Sequence, residues 1–448
     1  MDRHKLTWLA VLAIITSMFV KLPPMVAQQD AVLSTYRALV EVDALAKKHY
    51  AEPIADQTLV EGAIRGMMAQ LDPYSGYVAA DELATFERNS SGEYDGVGLE
   101  VDRRGGHAVV IAPFEGSPAE QAGILAGDVI LAINGEPVEG ISSFEIGRRL
   151  AGPVGSAVEL LLERAGRREP QRVHITRGHV SARTVRGFRR LADGEWDYLI
   201  DPQHKFGYVR VSSFRRHTAE EFDAALAGLE ALGARGLVLD LRFNPGGLMD
   251  QAIAMADRFL ASGLVLSTVT RFQSVLEYRA EPGEALPRAP LVVLVNRASA
   301  SSAEIVAGAL QDHGRAVVVG ERTFGKGSVQ HLIRLERLDA AIKLTVAYYR
   351  LPGGRLIHRT AQASAEDTWG IVPDVTVPLG EEEMRAIQQS RQASMEGAPE
   401  SPFPPGGEPV AHDSTVRTAG REIMRDRQLL EALLLLRERI ALSHNDPS

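Results

Sequence analysis

Two short segments in the second half of this 448-residue chain carry side chains suited to hydrolysis: Ser299-Ala300-Ser301-Ser302-Ala303-Glu304 and Phe324-Gly325-Lys326-Gly327-Ser328-Val329-Gln330. The apolar runs Leu291 to Val295 and Ala316 to Val319 lead into them and read as strands. Both segments therefore belong at strand ends of one sheet, where α/β folds place their active sites. A serine opening a helix and a lysine on a neighbouring glycine-rich turn are the parts of a Ser-Lys hydrolase, in which a neutral amine replaces histidine as base. Each part also has a structural reading. Ser301-x-x-Glu304 spells a capping box, which on its own marks only a helix start, and Lys326 on its turn reads equally as a surface lysine. As a base, Lys326 must be neutral near pH 7 although a free lysine titrates near ~10.4, so its site must desolvate it. Gly325 and Gly327 allow close backbone approach, and Phe324 and Val329 offer the apolar wall.

The rest of the second half supplies a frame for these segments. From Phe206 onward strand and helix patterns alternate: Thr218 with Glu221 forms a capping box ahead of Phe222, Ala225, Leu226 and Leu229, followed by Leu237 to Leu241, a helix near 249–260, and a helix after Ser301. The alternation implies an α/β core with a largely parallel sheet. Upstream, Val60, Ala63, Ile64, Met67, Met68 and Leu71 recur at helical spacing up to Asp72-Pro73. Residues 397–410 are rich in Pro and Gly and read as a linker. Beyond them Leu429, Leu430, Leu433, Leu434 and Leu436 form a leucine-heavy helix expected to pack on another subunit.

Taken together these residues resemble the C-terminal processing peptidases, tail-specific serine proteases with an embedded PDZ domain. That family places its lysine 25 positions after the nucleophilic serine and a glutamine four after the lysine; here 326 minus 301 is 25 and 330 minus 326 is 4, which selects Ser301 over Ser299 and Ser302. The family's usual Ser-Ala-Ser-Ala-Ser-Glu has its serine and alanine exchanged at Ser302-Ala303, a small neighbour in either order. The resemblance implies a crotonase-like or Clp-protease-like α/β core with an inserted PDZ domain and helical terminal segments. Ser301 is then the nucleophile, Lys326 the base and Gln330 the group that aims it. Leu239-Asp240-Leu241-Arg242-Phe243-Asn244-Pro245-Gly246-Gly247 resembles the family's oxyanion turn, with Gly246 or Gly247 and the N–H of Ser302 as donors. Leu71-Asp72-Pro73-Tyr74-Ser75-Gly76-Tyr77 resembles the motif preceding the PDZ domain.

The PDZ reading covers residues 93–178. In Gly96-Val97-Gly98-Leu99 the glycines let backbone N–H groups converge on a peptide carboxylate, and the downstream Gly127-Asp128-Val129-Ile130-Leu131-Ala132-Ile133-Asn134-Gly135 strengthens it. The domains are thus 1–27 as signal or anchor, 28–92 helical, 93–178 PDZ, 179–396 protease core, 397–410 linker and 411–448 helical. Arg3, His4 and Lys5 ahead of an apolar Leu6 to Val20 have the order of a secretory signal, which implies a periplasmic protein, soluble or anchored to the inner membrane.

Other functions fit less well. A net charge of −9 argues against nucleic acid as main partner, and Cys 0 excludes thiol chemistry and disulfides. Gly320 to Ser328 almost spells a P-loop, but glycine stands at 327 where Mg²⁺ coordination needs Ser or Thr. No His-Glu-x-x-His or Gly-x-Ser-x-Gly occurs, so neither a metal nor another cofactor is implied, and His313 reads as a helix-end residue. A noncatalytic PDZ scaffold has no need of the Ser301, Lys326 and Gln330 spacing. The expected partners are proteins with exposed C-terminal tails, a lipoprotein adaptor of the kind some relatives use, and further copies of the chain through its terminal helices.

Overall fold

Leu291–Val295 is buried at all five positions, and so is Gly236–Asp240. Strands without polar alternation need cover on both faces, as in a parallel sheet between layers. The computed structural model describes residues 36–80, 82–83, 93–104, 106–114, 116–125, 127–164, 166–191, 195–281, 289–360, 363–364, 366–395 and 426–444. The expected signal (1–27) and linker (397–410) lie outside them. The chain divides into two units, Met1–Tyr77 and Val78–Ser448. In the first, 36–49 and Asp56–Ala69 are helical, and the second of these helices buries no residue.

The core of the second unit runs β1 (Phe206–Val211), α1 (Thr218–Ala231), β2 (Gly236–Asp240), α2 (Met249–Asp257), β3 (Gly263–Thr270), β4 (Val275–Ala280), β5 (Leu291–Val295), α3 (Ser302–Asp312), β6 (Val317–Gly320), β7 (Ser328–Leu335), β8 (Ala340–Arg350), β9 (Val375–Thr376), α4 (Glu381–Met395) and α5 (Arg427–His444). Strands β1-β2-β5-β6-β9 pair in parallel in that order. Side chains alternate between two cores. Val209, Val211, Leu239, Val293 and Val318 pack with residues of α1, α2 and α3, including Phe222, Met255 and Ile305. On the other face Phe206, Tyr208, Val238, Val292 and Val319 pack with Leu429, Ala432 and Leu436 of α5. Leu429, Leu433 and Leu436 of the leucine-heavy helix are therefore spent on its own sheet, while Leu434 stays 46% exposed.

A second, antiparallel sheet is ordered β7-β8-β3-β4. It brings Gln330 on β7 opposite Thr345 on β8. Ahead of the core, the strands Leu99–Arg104, His107–Pro113, Val129–Ile133, Ala157–Glu163 and Gln171–Thr176 pair antiparallel in that order. Val97, Val110, Ile130, Ile146 and Leu160 fill their separate core.

One local expectation fails. Thr218 and Glu221 form no capping box: Glu221 instead accepts the N–H groups of Thr184 and Val185, at 2.8 and 2.9 Å, while Thr218 Oγ1 accepts the Arg215 N–H. A carboxylate with a distant pair of backbone donors in reach forgoes the local bond.

Candidate active site

Three neighbouring strands, β2, β5 and β6, end at the same edge, and each continues into one of the segments singled out in the sequence. After β5 the chain bends through Asn296, where Ser299 Oγ accepts the Asn296 N–H at 2.9 Å and donates to the Leu241 carbonyl at 2.8 Å. Ser302 Oγ donates to the Gly247 carbonyl at 2.9 Å. Both hydroxyls are buried and committed to structure. Ser301 differs. It has φ +56° and ψ −117°, a conformation costly for any residue with a Cβ. Its half-buried side chain sits at the strand-to-helix turn, the way a nucleophile elbow exposes its serine.

Glu304 explains why the turn persists. The Ser301 N–H donates to Glu304 Oε2 at 2.8 Å, and the Glu304 N–H donates to the Ser301 carbonyl at 2.8 Å. The same carboxylate accepts from the Lys326 N–H at 2.8 Å, the Gly325 N–H at 2.7 Å and the Thr323 hydroxyl. Burial pushes this carboxyl up, and the four donors pull the other way. On the opposite side, the hydroxyl of the fully buried Tyr349 donates to the carbonyls of Lys326 at 2.7 Å and Ser301 at 3.1 Å. One carboxylate and one phenol thus clamp the main chains of Ser301 and Lys326 together.

The glycines around Lys326 are needed for close approach. A Cβ on Gly325 would lie 2.9 Å from Arg359 Cβ, and one on Gly327 would lie 2.8 Å from the His358 N atom. Lys326 Nζ donates to Gln330 Oε1 at 2.6 Å. The Gln330 amide nitrogen donates to Ser328 Oγ at 2.7 Å and Thr345 Oγ1 at 3.3 Å, so its oxygen must face the amine. Phe324 is 46 % exposed and does not form the apolar wall expected of it, whereas Val329 packs against the core. His313 ends α3, with Nε2 2.8 Å from the Leu264 carbonyl. The turn after β6 runs into strand β7 and not a helix, so the P-loop reading lacks the helix N-terminus it requires.

The turn after β2 lies against Ser301. Gly246 has φ +98°, and a Cβ there would fall 2.7 Å from Ser301 Cβ and 3.0 Å from the Ser302 N atom. Its N–H donates to Asn244 Oδ1 at 2.8 Å. The N–H groups of Gly247 and Ser302 have no hydrogen-bond partner among the described residues. A cleft of about 500 Å³ opens beside them, lined by Phe214, Pro245, Leu248, Gln330 and Leu332 among others.

In the upstream domain Gly98 has φ +81° and lies so close to Ser117 that a Cβ would come within 2.2 Å of Ser117 Cβ. Its carbonyl accepts the Phe114 N–H at 2.8 Å, and that of Val97 accepts the Ala119 N–H at 2.8 Å. Burial pushes the Tyr94 phenol up to about 12, against the pull of the Leu99 and Gly98 N–H groups. Contacts lead from this domain to the core: Glu93 Oε1 is 2.6 Å from His217 Nε2, Glu93 Oε2 is 3.2 Å from Arg216 Nε, and Glu120 Oε1 is 2.8 Å from Arg190 Nη1.

Sequence reasoning missed Tyr349 and the full reach of Glu304. Tyr349 carried one signal: it lies on a β8 face shared with Ala347, and a buried tyrosine needs an acceptor for its hydroxyl.

The family model for Peptidase family S41 matches residues 205–377, that for a PDZ domain 109–164, and that for the activating protease CtpB N-terminal domain 22–82. The chain is 35% identical over 403 residues to a carboxy-terminal-processing protease of Bartonella bacilliformis, covering 86% of this chain and 84% of that one. It is 38% identical over 336 residues to a carboxyl-terminal-processing protease of Synechocystis sp., covering 74% of each. A solved photosystem II D1 C-terminal processing protease is 32% identical, covering 77% of this chain and 92% of the other, with a TM-score of 0.45. The chain belongs to peptidase family S41 and is a serine peptidase of the C-terminal processing type with a PDZ domain.

Proposed function

We propose that this peptidase cleaves near protein C-termini with Ser301 as nucleophile, Lys326 as general base, Gln330 as its orienting partner, and the Gly247 and Ser302 N–H groups as oxyanion donors. The observation that carries the reading is the shared clamp: the main chains of Ser301 and Lys326 meet on one carboxylate, with Lys326 Nζ held by Gln330. Ser301 Oγ attacks the scissile carbonyl carbon and its proton passes to the neutral Nζ of Lys326. The oxyanion faces the Gly247 and Ser302 N–H groups, Gly246 being committed to Asn244. Collapse breaks the C–N bond and Lys326 returns the proton to the departing amine. Water then attacks the acyl ester, giving its proton to Lys326, which passes it back to Ser301. Ser301→Ala and Lys326→Ala should each remove cleavage without altering the circular dichroism spectrum, while Gln330→Ala keeps a residue of activity. Wild-type cleavage by either of the first two variants would refute the dyad.

The substrate tail docks by its free carboxylate at Gly96, Val97, Gly98 and Leu99, within a PDZ domain spanning 93–178. The core spans 179–396, and the expected linker and C-terminal segment follow it. The basic-then-apolar order of residues 3–20 supports export to the periplasm. No helix among the described residues is long and apolar enough to cross a membrane. A reporter fused after residue 30 should be active only in the periplasm, and loss of residues 1–27 should silence it. Leu39, Val40, Val42 and Leu45 are exposed on the N-terminal helix, which supports self-association there. Light scattering before and after deletion of residues 36–49 tests it. A lipoprotein adaptor, the remaining partner, is tested by co-purification with a Ser301→Ala variant.

A further inference from the structure

The turn bearing Gly246 and Gly247 starts from a largely buried cluster of charges. Asp240 ends β2 at 0% exposure and Arg242 follows at 2%. Arg242 Nη2 donates to Asp240 Oδ2 at 2.7 Å, and its Nε is 3.1 Å from both Asp240 oxygens. The outer side of the same guanidinium is gripped by a residue far along the chain. Nη1 donates to Asp426 Oδ1 and Nη2 to Asp426 Oδ2, each at 2.8 Å, with Gln428 Oε1 at 3.2 Å from Nη1. Arg391 of α4 closes the group, reaching Asp240 Oδ2 at 2.5 Å and the Arg242 carbonyl at 3.1 Å. Two carboxylates face the guanidinium groups of Arg242 and Arg391, and the buried Arg210 lies opposite Asp240 on β1 as a third positive charge. Burial opposes the Arg242 charge, but Asp240 and Asp426 outweigh it and hold the guanidinium above its ordinary value.

The residues on either side of Arg242 are fastened to the loop that carries the nucleophile. The Leu241 carbonyl accepts the Ser299 hydroxyl at 2.8 Å, the Phe243 N–H donates to Asn296 Oδ1 at 2.9 Å, and the Asn244 carbonyl accepts the Ala300 N–H at 2.9 Å. Phe243 takes φ +63°, a conformation that persists only where surroundings impose it, and its ring lies under the Arg391 guanidinium at 5.0 Å. A shift of Arg242 therefore moves the oxyanion turn against Ser301.

We infer that Asp426 is a positioning residue for catalysis: through Arg242 it fixes the oxyanion turn, so the segment that opens the C-terminal helix completes the active site from outside the matched peptidase region, which ends at residue 377. The inference rests on the Ser301-Lys326 reading above. Asp426→Asn keeps the shape but leaves Arg242 with one carboxylate partner in place of two and breaks the two-point grip.

The test compares the full-length wild type with Asp426→Asn on a cleavable peptide and on a peptide boronate, whose tetrahedral adduct with Ser301 sets an oxygen in the oxyanion position. Asp426→Asn should lower kcat by about tenfold to a hundredfold with KM changed less than about twofold. Boronate affinity should fall by a similar factor, because the turn matters only once the oxyanion has formed. In a Ser301→Ala background the uncleaved peptide should bind alike with and without the Asn substitution. A fall in melting temperature with kcat and boronate affinity unchanged would overturn the inference, as would an equal loss of ground-state binding. If Asp426→Asn does not fold, Gln428→Leu, which removes the weaker contact to the same guanidinium, should lower kcat several-fold at constant KM, and wild-type kinetics there would overturn it. Wild-type cleavage by Ser301→Ala alone would bring down the dyad reading and this inference with it.

Discussion

Ser301 and Lys326 donate their main-chain N–H groups to the same oxygen atom, Glu304 Oε2, each at 2.8 Å. The two segments come from different strand ends, so their relative placement depends on this buried carboxylate and on the Tyr349 hydroxyl opposite. A dyad needs its base within hydrogen-bond reach of the nucleophile, and a clamp on both backbones removes most of the freedom that would spoil that reach.

Glu304→Gln preserves shape but leaves one carbonyl oxygen for four donors. Each orphaned buried group costs about 1–3 kcal/mol, and a slip of the Lys326 turn by about 1 Å costs about a hundredfold in rate. A marked fall in melting temperature together with kcat should follow. Tyr349→Phe strips the donor from two carbonyls and should cost about 1 kcal/mol with a smaller rate loss. Thermal denaturation and steady-state kinetics on purified variants check both.

Much of this site was readable from residue order. Ser301, Lys326 and Gln330 fall at spacings that one architecture explains, and all-apolar strands such as Leu291–Val295 announce a parallel sheet. What the sequence withheld was reach. Glu304 reads as a helix cap because its nearest backbone donor is three residues away, and nothing local says that its second oxygen extends to Gly325. Asp426 opens a helix, accepting the Leu429 N–H at 3.1 Å, and nothing local says that it also grips Arg242. The leucine stripe of α5 showed that one face must be covered, but periodicity carries no information about whose surface covers it.

The glycines of the oxyanion turn admit no side chain. A Cβ on Gly247 would lie 2.0 Å from the Phe214 carbonyl oxygen, where φ is already +144°. Gly246→Ala pushes directly on Ser301, and Gly247→Ala pushes the turn away from the Phe214 backbone. Both should lose boronate affinity along with cleavage, whereas tail binding at the PDZ domain, measured by calorimetry, should stay unchanged.

Contact between the PDZ domain and the core should depend on pH. Hydrogen bonds that His217 donates to Glu220 and Glu93 raise its pKa, and Arg216 Nε also lies 3.2 Å from Glu93. The folded value lies above the unfolded one, so this stabilisation is complete below ~6.5 and is lost as pH rises through the folded value. After correction for intrinsic rates, amide exchange in Glu93–Gly96 should be slower at roughly pH 6 than at roughly pH 9. His217→Ala should abolish the difference. Persistence of the difference in that variant would mean the histidine is not the switch.

Tail recognition is tested by charge. A C-terminally amidated peptide offers no carboxylate to the N–H groups of Gly98 and Leu99 and should bind and be cleaved more weakly than the free acid. Tyr94→Phe removes the hydroxyl that those N–H groups face and should tighten binding of the free acid. Equal handling of amide and acid would leave the peptidase with another specificity.

The distance in sequence between Arg242 and Asp426 has a meaning in time. Protein synthesis runs from the amino terminus, so Ser301, Lys326 and the oxyanion turn exist long before the carboxylate that grips Arg242 from the far side. A chain interrupted after residue 396 contains every group of the dyad yet lacks Asp426, Gln428 and the helix whose leucines cover the sheet. On the inference drawn above, competence to cut waits until the chain has been made through Asp426 and Gln428.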